Sequence, residues 1–416
     1  MSIPEQAGNR NFTLQYPWLG TGPVAVESCV SPEYFELERK YVFQRSWLNI
    51  GRIERAPNPG DYFVMDLPVC KTSLLIVHGE DGKLRAFHNL CTHRGNKLAW
   101  EREGNCKGFS CGFHGWTFDT LGALVHVTDE DQFYGLDRRA NGLRPVHTEL
   151  WEGFIFVNFS PKPHEDLREY LGEIADRLEG YPFHELSLQW HYRAAVRCNW
   201  KIGQDAFQEQ YHFNYVHRRT VAPAFMNKDN PNGHIVWGEF YKRHGMFSAF
   251  GNFELNPRPI EVLAHKFGRV FHRQHGADRL PPGMNPTKSP NWVLDGVSVF
   301  PNFVMNIHGD RIFSWHFWPV SVDQMIFEAY MHTYPPKTPA EAFNHEVNKC
   351  LVRDTYLEDL STWEHTQDVL GSGAITHFTL QDSEAHLRRT RKVIEDCIRT
   401  GQVEDGEMNE DGEMNQ

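Results

Sequence analysis

Two short chelating pairs stand out in the chain, Cys91-Thr-His93 and Cys111-Gly-Phe-His114, with seventeen residues (94–110) between them. Thiolates and neutral imidazoles together suit either zinc or an iron–sulfur cluster. In a [2Fe–2S] centre with two Cys on one iron and two His on the other, the imidazoles raise the potential well above that of an all-thiolate cluster. On spacing alone, a structural Cys₂His₂ zinc site is the alternative. Further along, His212 and His217 stand five apart in a segment that also carries Asp205 and Glu209. In a chain with 23 histidines such a pair is no evidence by itself. Positions five apart on a straight helix point about 140° away from each other. One metal would therefore need a π-type bulge or a helix end between the two histidines.

The full strings around the first two pairs are more specific. Cys91-Thr-His93-Arg94-Gly95 and Cys111-Gly-Phe-His114-Gly115-Trp116 resemble the cluster loops of Rieske-type non-haem iron oxygenases. Cys106 lies between the pairs and matches no ligand position, so it reads as an ordinary thiol. The resemblance extends over roughly residues 30–390. Glu209-x-x-His212-x₄-His217 after Asn199-Trp200-Lys201 looks like the catalytic-iron segment of the same family. It implies that His212 and His217 are iron ligands, the two imidazoles of a two-His-one-carboxylate site with open positions for O₂.

The carboxylate is expected far downstream. In the helical pattern from Val352 to Glu364, Asp359 falls in the apolar stripe of Val352, Tyr356, Leu360 and Trp363. Asp354 and Glu358 fall on the neighbouring polar face. An acid in an apolar stripe is costly unless it is paired or bound to metal. Glu358-Asp359-(x₄)-Glu364-(x₂)-Gln367 also resembles the family's carboxylate-bearing helix. Asp359 is the expected ligand and Glu358 the alternative.

In the family, the acid three residues before the first ligand histidine links subunits. Carried over, Glu209 would join His212 to His114 of the partner subunit, which implies a homotrimer; carboxylates of this kind fix imidazole orientation. Naphthalene-dioxygenase-like members carry Asp at this position, and Glu also occurs in members that act on quaternary amines.

The elements that must position these groups follow from the hydrophobic period. Ser31-Pro32 reads as an N-cap and first-turn proline opening a helix to about Phe43. Short β-rich segments (Tyr62–Asp66, Ser73–Val77, Lys83–His88) are punctuated by Pro59-Gly60 and Asp81-Gly82 and continue to about Phe159. Helical patterns follow near Leu167–Leu178 and Asp205–His217. Strands are expected over Ile235–Phe250 and Val297–Tyr334, with Gly276–Asn291 between them as a loop that could act as a lid. Long helices close the chain over Pro339–Leu370 and Ser383–Thr400. The fold class is α+β. The resemblance implies an N-terminal helix (1–44) packing on the catalytic domain, an all-β Rieske [2Fe–2S] domain (45–160), and a helix-grip catalytic domain (161–400) with an antiparallel sheet and the mononuclear iron. An acidic disordered tail (401–416) follows, with the hexad Glu-Asp-Gly-Glu-Met-Asn occurring twice.

Composition excludes several classes. The 42 basic and 54 acidic residues leave a net charge of −12, which argues against a nucleic-acid binder. The opening residues lack a basic stretch and an apolar run, and no apolar run could span a bilayer. A reduced cytoplasm is the expected compartment. No G-x-G-x-x-G opens a βαβ unit, so an external reductase, directly or through a ferredoxin, must supply electrons. No G-x-S-x-G elbow or H-E-x-x-H helix supports a hydrolase.

The resemblance implies a terminal oxygenase with a Rieske cluster and mononuclear Fe(II), using O₂ to mono- or cis-dihydroxylate an aromatic or bulky apolar substrate. Phe207, Met226, Phe247, Phe303 and Met305 are the candidate substrate contacts. Such a surface could equally cage a methylated ammonium for oxidative demethylation or C–N cleavage. A Rieske electron carrier and a zinc-stapled ligand-binding protein are the non-enzymatic alternatives.

Overall fold

The computed structural model describes residues 11–252, 254–266 and 280–405. The chain forms two compact units, Phe43–Tyr170 and the combination of Met1–Val42 with Leu171–Gln416.

The smaller unit is built from short strands. A seven-stranded sheet contains β1 (Leu48–Arg52), β2 (Asp61–Leu67), β3 (Thr72–His78), β4 (Leu84–His88), β5 (Glu103–Asn105), β9 (Pro145–Trp151) and β10 (Phe154–Asn158), ordered β1-β10-β9-β4-β3-β2-β5 with antiparallel pairing throughout. A separate three-stranded sheet holds β6 (Gly108–Ser110), β7 (Thr117–Asp119) and β8 (Leu124–His126). Leu75, Val77, Phe87, Phe109, Trp116 and Phe118 form one buried cluster, and Cys91 and Cys111 sit within it. Both thiols are thus set into a packed core.

The larger unit has a second antiparallel sheet of seven strands: β11 (Ser187–Val196), β12 (Trp237–Tyr241), β13 (His244–Phe250), β14 (Trp292–Val299), β15 (Phe303–Ile307), β16 (Arg311–Ser321) and β17 (Gln324–Thr333). Its order is β11-β17-β16-β15-β14-β13-β12. Nine consecutive residues of β16, Arg311–Pro319, are buried, so both faces of that strand are covered. The helices that matter for the site are α1 (Pro32–Glu38), α2 (Trp200–Asp205), α3 (Phe213–Val216), α4 (Pro339–Leu370) and α5 (Ala385–Glu404). The Ser31 side chain accepts from Tyr34 N–H and caps α1, whose last turn widens into a π-type turn over Arg39–Phe43. Helix α4 begins with Thr338 as N-cap and Pro339 in its first turn. It packs across β11 and α2. No helix among the described residues is long and apolar enough to cross a membrane.

Two expectations need correction, on the segment 205–217 and on the start of the tail. The segment 205–217 is not one helix: α2 ends at Asp205, and only the single turn α3 follows. The reason is local, because the Glu209 carboxylate accepts from the backbone N–H groups of Tyr211 and His212 and holds them out of a helical ladder. The loop 276–291 begins outside the described residues. Its described part is tied down, with Asn285 N–H donating to Asp295 Oδ2 at 2.9 Å and Asn285 Oδ1 accepting from Ser289 N–H at 3.0 Å. Residues 401–404 continue α5 and are not tail; residues 406–416 lie outside the described residues.

Candidate metal centres

In the smaller unit the two chelating loops are built alike. Cys91 N–H donates to Asn96 O and Gly95 N–H to Cys91 O, both at 2.8 Å; Cys111 N–H donates to Trp116 O at 2.8 Å and Gly115 N–H to Cys111 O at 2.9 Å. Each loop turns on a glycine in the left-handed region, Gly95 at φ +76° and Gly115 at φ +74°. This explains the glycine two residues after His93 and directly after His114. The rings of His93 and His114 lie 4.7 Å apart, and His93 stacks on Trp116 at 4.9 Å.

Burial opposes ionisation of both thiols. Against it, the backbone N–H groups of Phe113 and His114 stabilise the Cys111 thiolate, and those of His93 and Arg94 favour that of Cys91. Asn96 Nδ2 also donates to Cys111 Sγ at 3.6 Å. Backbone and amide donors aimed at sulfur are what an iron–sulfur cluster uses to set its potential. Among the described residues, the group bringing at least three ligand atoms within 4.8 Å of one another is His212, His217 and Asp359.

In the larger unit, His212 and His217 flank the single turn α3 as its N-cap and C-cap. The helix ends on either side supply the geometry that a straight helix lacks, and the rings approach to 4.9 Å. Asp359 is 4% exposed on α4, in register with buried Val352, Tyr356 and Trp363 as the stripe requires. Its Oδ1 lies 3.1 Å from His217 Nε2 and 3.6 Å from His212 Nε2. His212 Nε2 is buried with no hydrogen-bond partner, as a nitrogen that served as a metal ligand would be.

The opposite ring nitrogens are both held by carboxylates. His212 Nδ1 meets Glu209 Oε1 at 2.5 Å, and His217 Nδ1 meets Glu358 Oε2 at 2.9 Å. Thr220 Oγ1 donates to the same Glu358 oxygen at 2.6 Å. Glu358 is therefore placed behind His217 and outside the ligand group. Paired carboxylates of this kind fix each ring's tautomer with Nε2 facing the metal. The donor set of two neutral imidazoles and one carboxylate, with an orphaned Nε2, fits a mononuclear iron.

The triad opens onto a cavity walled by Phe207, Phe213, Phe247, Phe313, Trp315 and Tyr356. Phe247, Gly296, Asn306 and Phe313 form one cross-strand row of the sheet. A Cβ at Gly296 would stand 2.3 Å from the Phe247 ring, so glycine is what lets that ring lie across the floor. Of the expected substrate contacts, Phe207 and Phe247 line the cavity; Met226, Phe303 and Met305 do not. Phe303 and Met305 are on β15 one residue out of step with Asn306, and the period of two turns them to the other face. Asn306 itself, one polar residue inside the apolar run Phe303–Ile307, was the legible signal on that strand.

Comparison with known proteins then places this architecture. Residues 182–400, more than half of the chain, match the ring hydroxylating alpha subunit (catalytic domain), and residues 46–143 match the Rieske [2Fe–2S] domain. The chain belongs to the ring-hydroxylating alpha subunits. Members of this family combine the Rieske cluster with a mononuclear iron, and both candidate centres lie inside the matched stretches. The large oxygenase component of the naphthalene 1,2-dioxygenase system of Pseudomonas aeruginosa is 33% identical over 196 residues, 45% of this chain and 43% of that protein. The glycine betaine monooxygenase oxygenase subunit of Chromohalobacter salexigens is 29% identical over 186 residues, 45% and 41% of the two chains. The matched stretch thus spans less than half the length of these curated relatives. Among solved structures, a quaternary ammonium Rieske monooxygenase superposes with a TM-score of 0.73 at 18% identity, covering 95% of this chain and 99% of the other. Naphthalene 1,2-dioxygenase from Rhodococcus sp. bound to indole gives 0.72 at 20% identity, covering 93% and 96%. At these identities the likeness speaks to the fold alone.

Proposed function

We propose that this chain is the terminal oxygenase component of a multicomponent system that hydroxylates an aromatic substrate with O₂ and externally supplied electrons. The observation that carries this reading is the His212–His217–Asp359 group opening directly onto an aromatic-walled cavity. The cluster would pass single electrons and the mononuclear iron would bind O₂ beside the substrate. Everything else falls to the chain's own residues. Cys91, His93, Cys111 and His114 would hold the cluster; His212, His217 and Asp359 would hold the iron. Glu209 and Glu358 keep each Nε2 directed inward. The phenylalanine walls orient a ring and exclude water. A reductase, directly or through a ferredoxin, is the expected partner. The bridge from Glu209 to His114 of the partner subunit, within a homotrimer, is part of the same reading.

The cavity also carries polar groups with nothing to bond. Trp315 Nε1 and Tyr356 Oη are buried together and interact with each other, which leaves the Tyr356 O–H as a donor and Asn306 Oδ1 as an acceptor without a further partner. A bare hydrocarbon would leave both unsatisfied, at about 1–3 kcal/mol each. A methylated ammonium headgroup offers them neither donor nor acceptor. An uncharged aromatic ring bearing a carbonyl and an N–H or O–H matches both, and among the described residues no Lys or Arg lines the cavity to receive an anionic group.

The test compares benzamide with its hydrocarbon isostere cumene, using the holoprotein, a surrogate reductase and ¹⁸O₂. Benzamide should be hydroxylated with ¹⁸O incorporation at a kcat/KM about ten- to a hundredfold above cumene. A preference for cumene would overturn the polar-substrate reading. Absence of ¹⁸O from products of every aromatic compound tried would overturn the oxygenase reading.

A further inference from the structure

A second small cavity in the larger unit, separate from the triad, gathers polar atoms that have no partner. Its wall includes Gln204, Gln208, Arg243, Ser298, Arg389 and Thr390 and, among the described residues, no carboxylate. Arg389 is 3% exposed, and its Nε and Nη2 make no hydrogen bond. Ser298 Oγ and Gln204 Oε1 are likewise buried and unpartnered. The Arg389 guanidinium lies 5.6 Å over the Phe240 ring, which offsets part of its charge. Burial, and then the neighbouring charge of Arg243, push its pKa down to about 10, so it remains charged at neutral pH. His386, also on the wall, is pushed down to about 3 by burial and stays neutral there.

Asp396 acts on Arg389 only from a distance, its own ion pairs being with Lys392 and Arg399. A guanidinium buried without a direct ion-pair partner is costly, and unsatisfied polar atoms clustered around one void point to an occupant. A water would satisfy some of the donors but bring no charge to Arg389. The void is small, which favours a compact occupant over phosphate or a carboxylic acid. We propose that this cavity is a binding site for a small monovalent anion of the size of chloride, held by Arg389 Nε and Nη2 with the Ser298 hydroxyl.

The site has a structural consequence. Gln208 Oε1 accepts from Thr390 Oγ1 at 3.0 Å, and Gln204 Nε2 donates to Pro301 O at 2.8 Å. The anion would therefore sit where α5, the start of β15 and the segment leading to Glu209 and His212 converge, and would pin that segment. None of this depends on the oxygenase reading.

The experiment measures the thermal midpoint of the holoprotein in sodium chloride against sodium gluconate at equal ionic strength. Gluconate is too large to enter. Chloride should raise the midpoint saturably, by about 2–4 °C, and Arg389→Met should remove the dependence. Crystals soaked in bromide provide a readout that needs no variant, with an anomalous peak expected beside Arg389. Equal midpoints in the two salts, or bromide-soaked crystals with only water in the cavity, would overturn the proposal.

Discussion

Replacing Asp359 with alanine is expected to strip the mononuclear iron and abolish turnover while the cluster stays in place. Asp359 supplies the one carboxylate of the triad, its Oδ1 within 3.1 Å and 3.6 Å of the two imidazole Nε2 atoms. With two monodentate imidazoles alone, iron occupancy should fall about tenfold or more. The variant should fold, because Asp359 sits buried in an apolar stripe of α4 and alanine is the better helix former. The cluster ligands lie in the other compact unit, so two irons and two sulfides per chain, about the content of one [2Fe–2S] centre, should persist as an internal control. The measurement is iron and acid-labile sulfide per chain beside turnover. Full turnover in Asp359→Ala would remove Asp359 from the site.

Lys201→Met should be the most destabilising single change outside the metal centres. Lys201 and Glu38 have fully buried side chains and pair at 2.6 Å, and Trp200 Nε1 donates to the other Glu38 oxygen at 3.0 Å. Methionine fills the volume of lysine but leaves a carboxylate buried with a single neutral donor. Breaking a buried pair from one side costs about 3–5 kcal/mol. Removing both charges, in Glu38→Gln with Lys201→Met, should recover most of that loss, because no uncompensated charge remains. Chemical denaturation of the two variants checks this. A loss below about 1 kcal/mol in the single variant, the range of a surface pair, would contradict the account.

That pair also explains why Asn199-Trp200-Lys201 was legible as a motif while its purpose was not. Asn199 caps α2 through Lys201 N–H, ties its own N–H to Gln367 on α4, and donates to Val322 O. Trp200 and Lys201 bind Glu38. The string is an anchor for the segment that carries His212, and its partners are far away in sequence. The cluster loops were readable because ligand type, spacing and the left-handed glycines are all local. Asp359 was readable because a helical stripe of period 3.6 makes a misplaced acid conspicuous. Glu358 was read as a rival ligand: adjacent acids on a helix differ by about 100°, and only the fold shows which one meets His217 from behind. The cavity wall was half legible. Phe207 and Phe247 were found by aromatic character, whereas Phe303 and Met305 failed because composition does not reveal which face of β15 looks inward.

The central claim is that one chain holds both a His-ligated two-iron cluster and a separate mononuclear iron. The most direct test is iron, zinc and acid-labile sulfide per chain in the protein as isolated, with the EPR spectrum of the dithionite-reduced form. The account predicts about three irons and two sulfides, with the low average g value of a His-ligated cluster. Zinc without sulfide would contradict it, and the two-Cys, two-His loops would then be a structural staple beneath a ligand-binding domain.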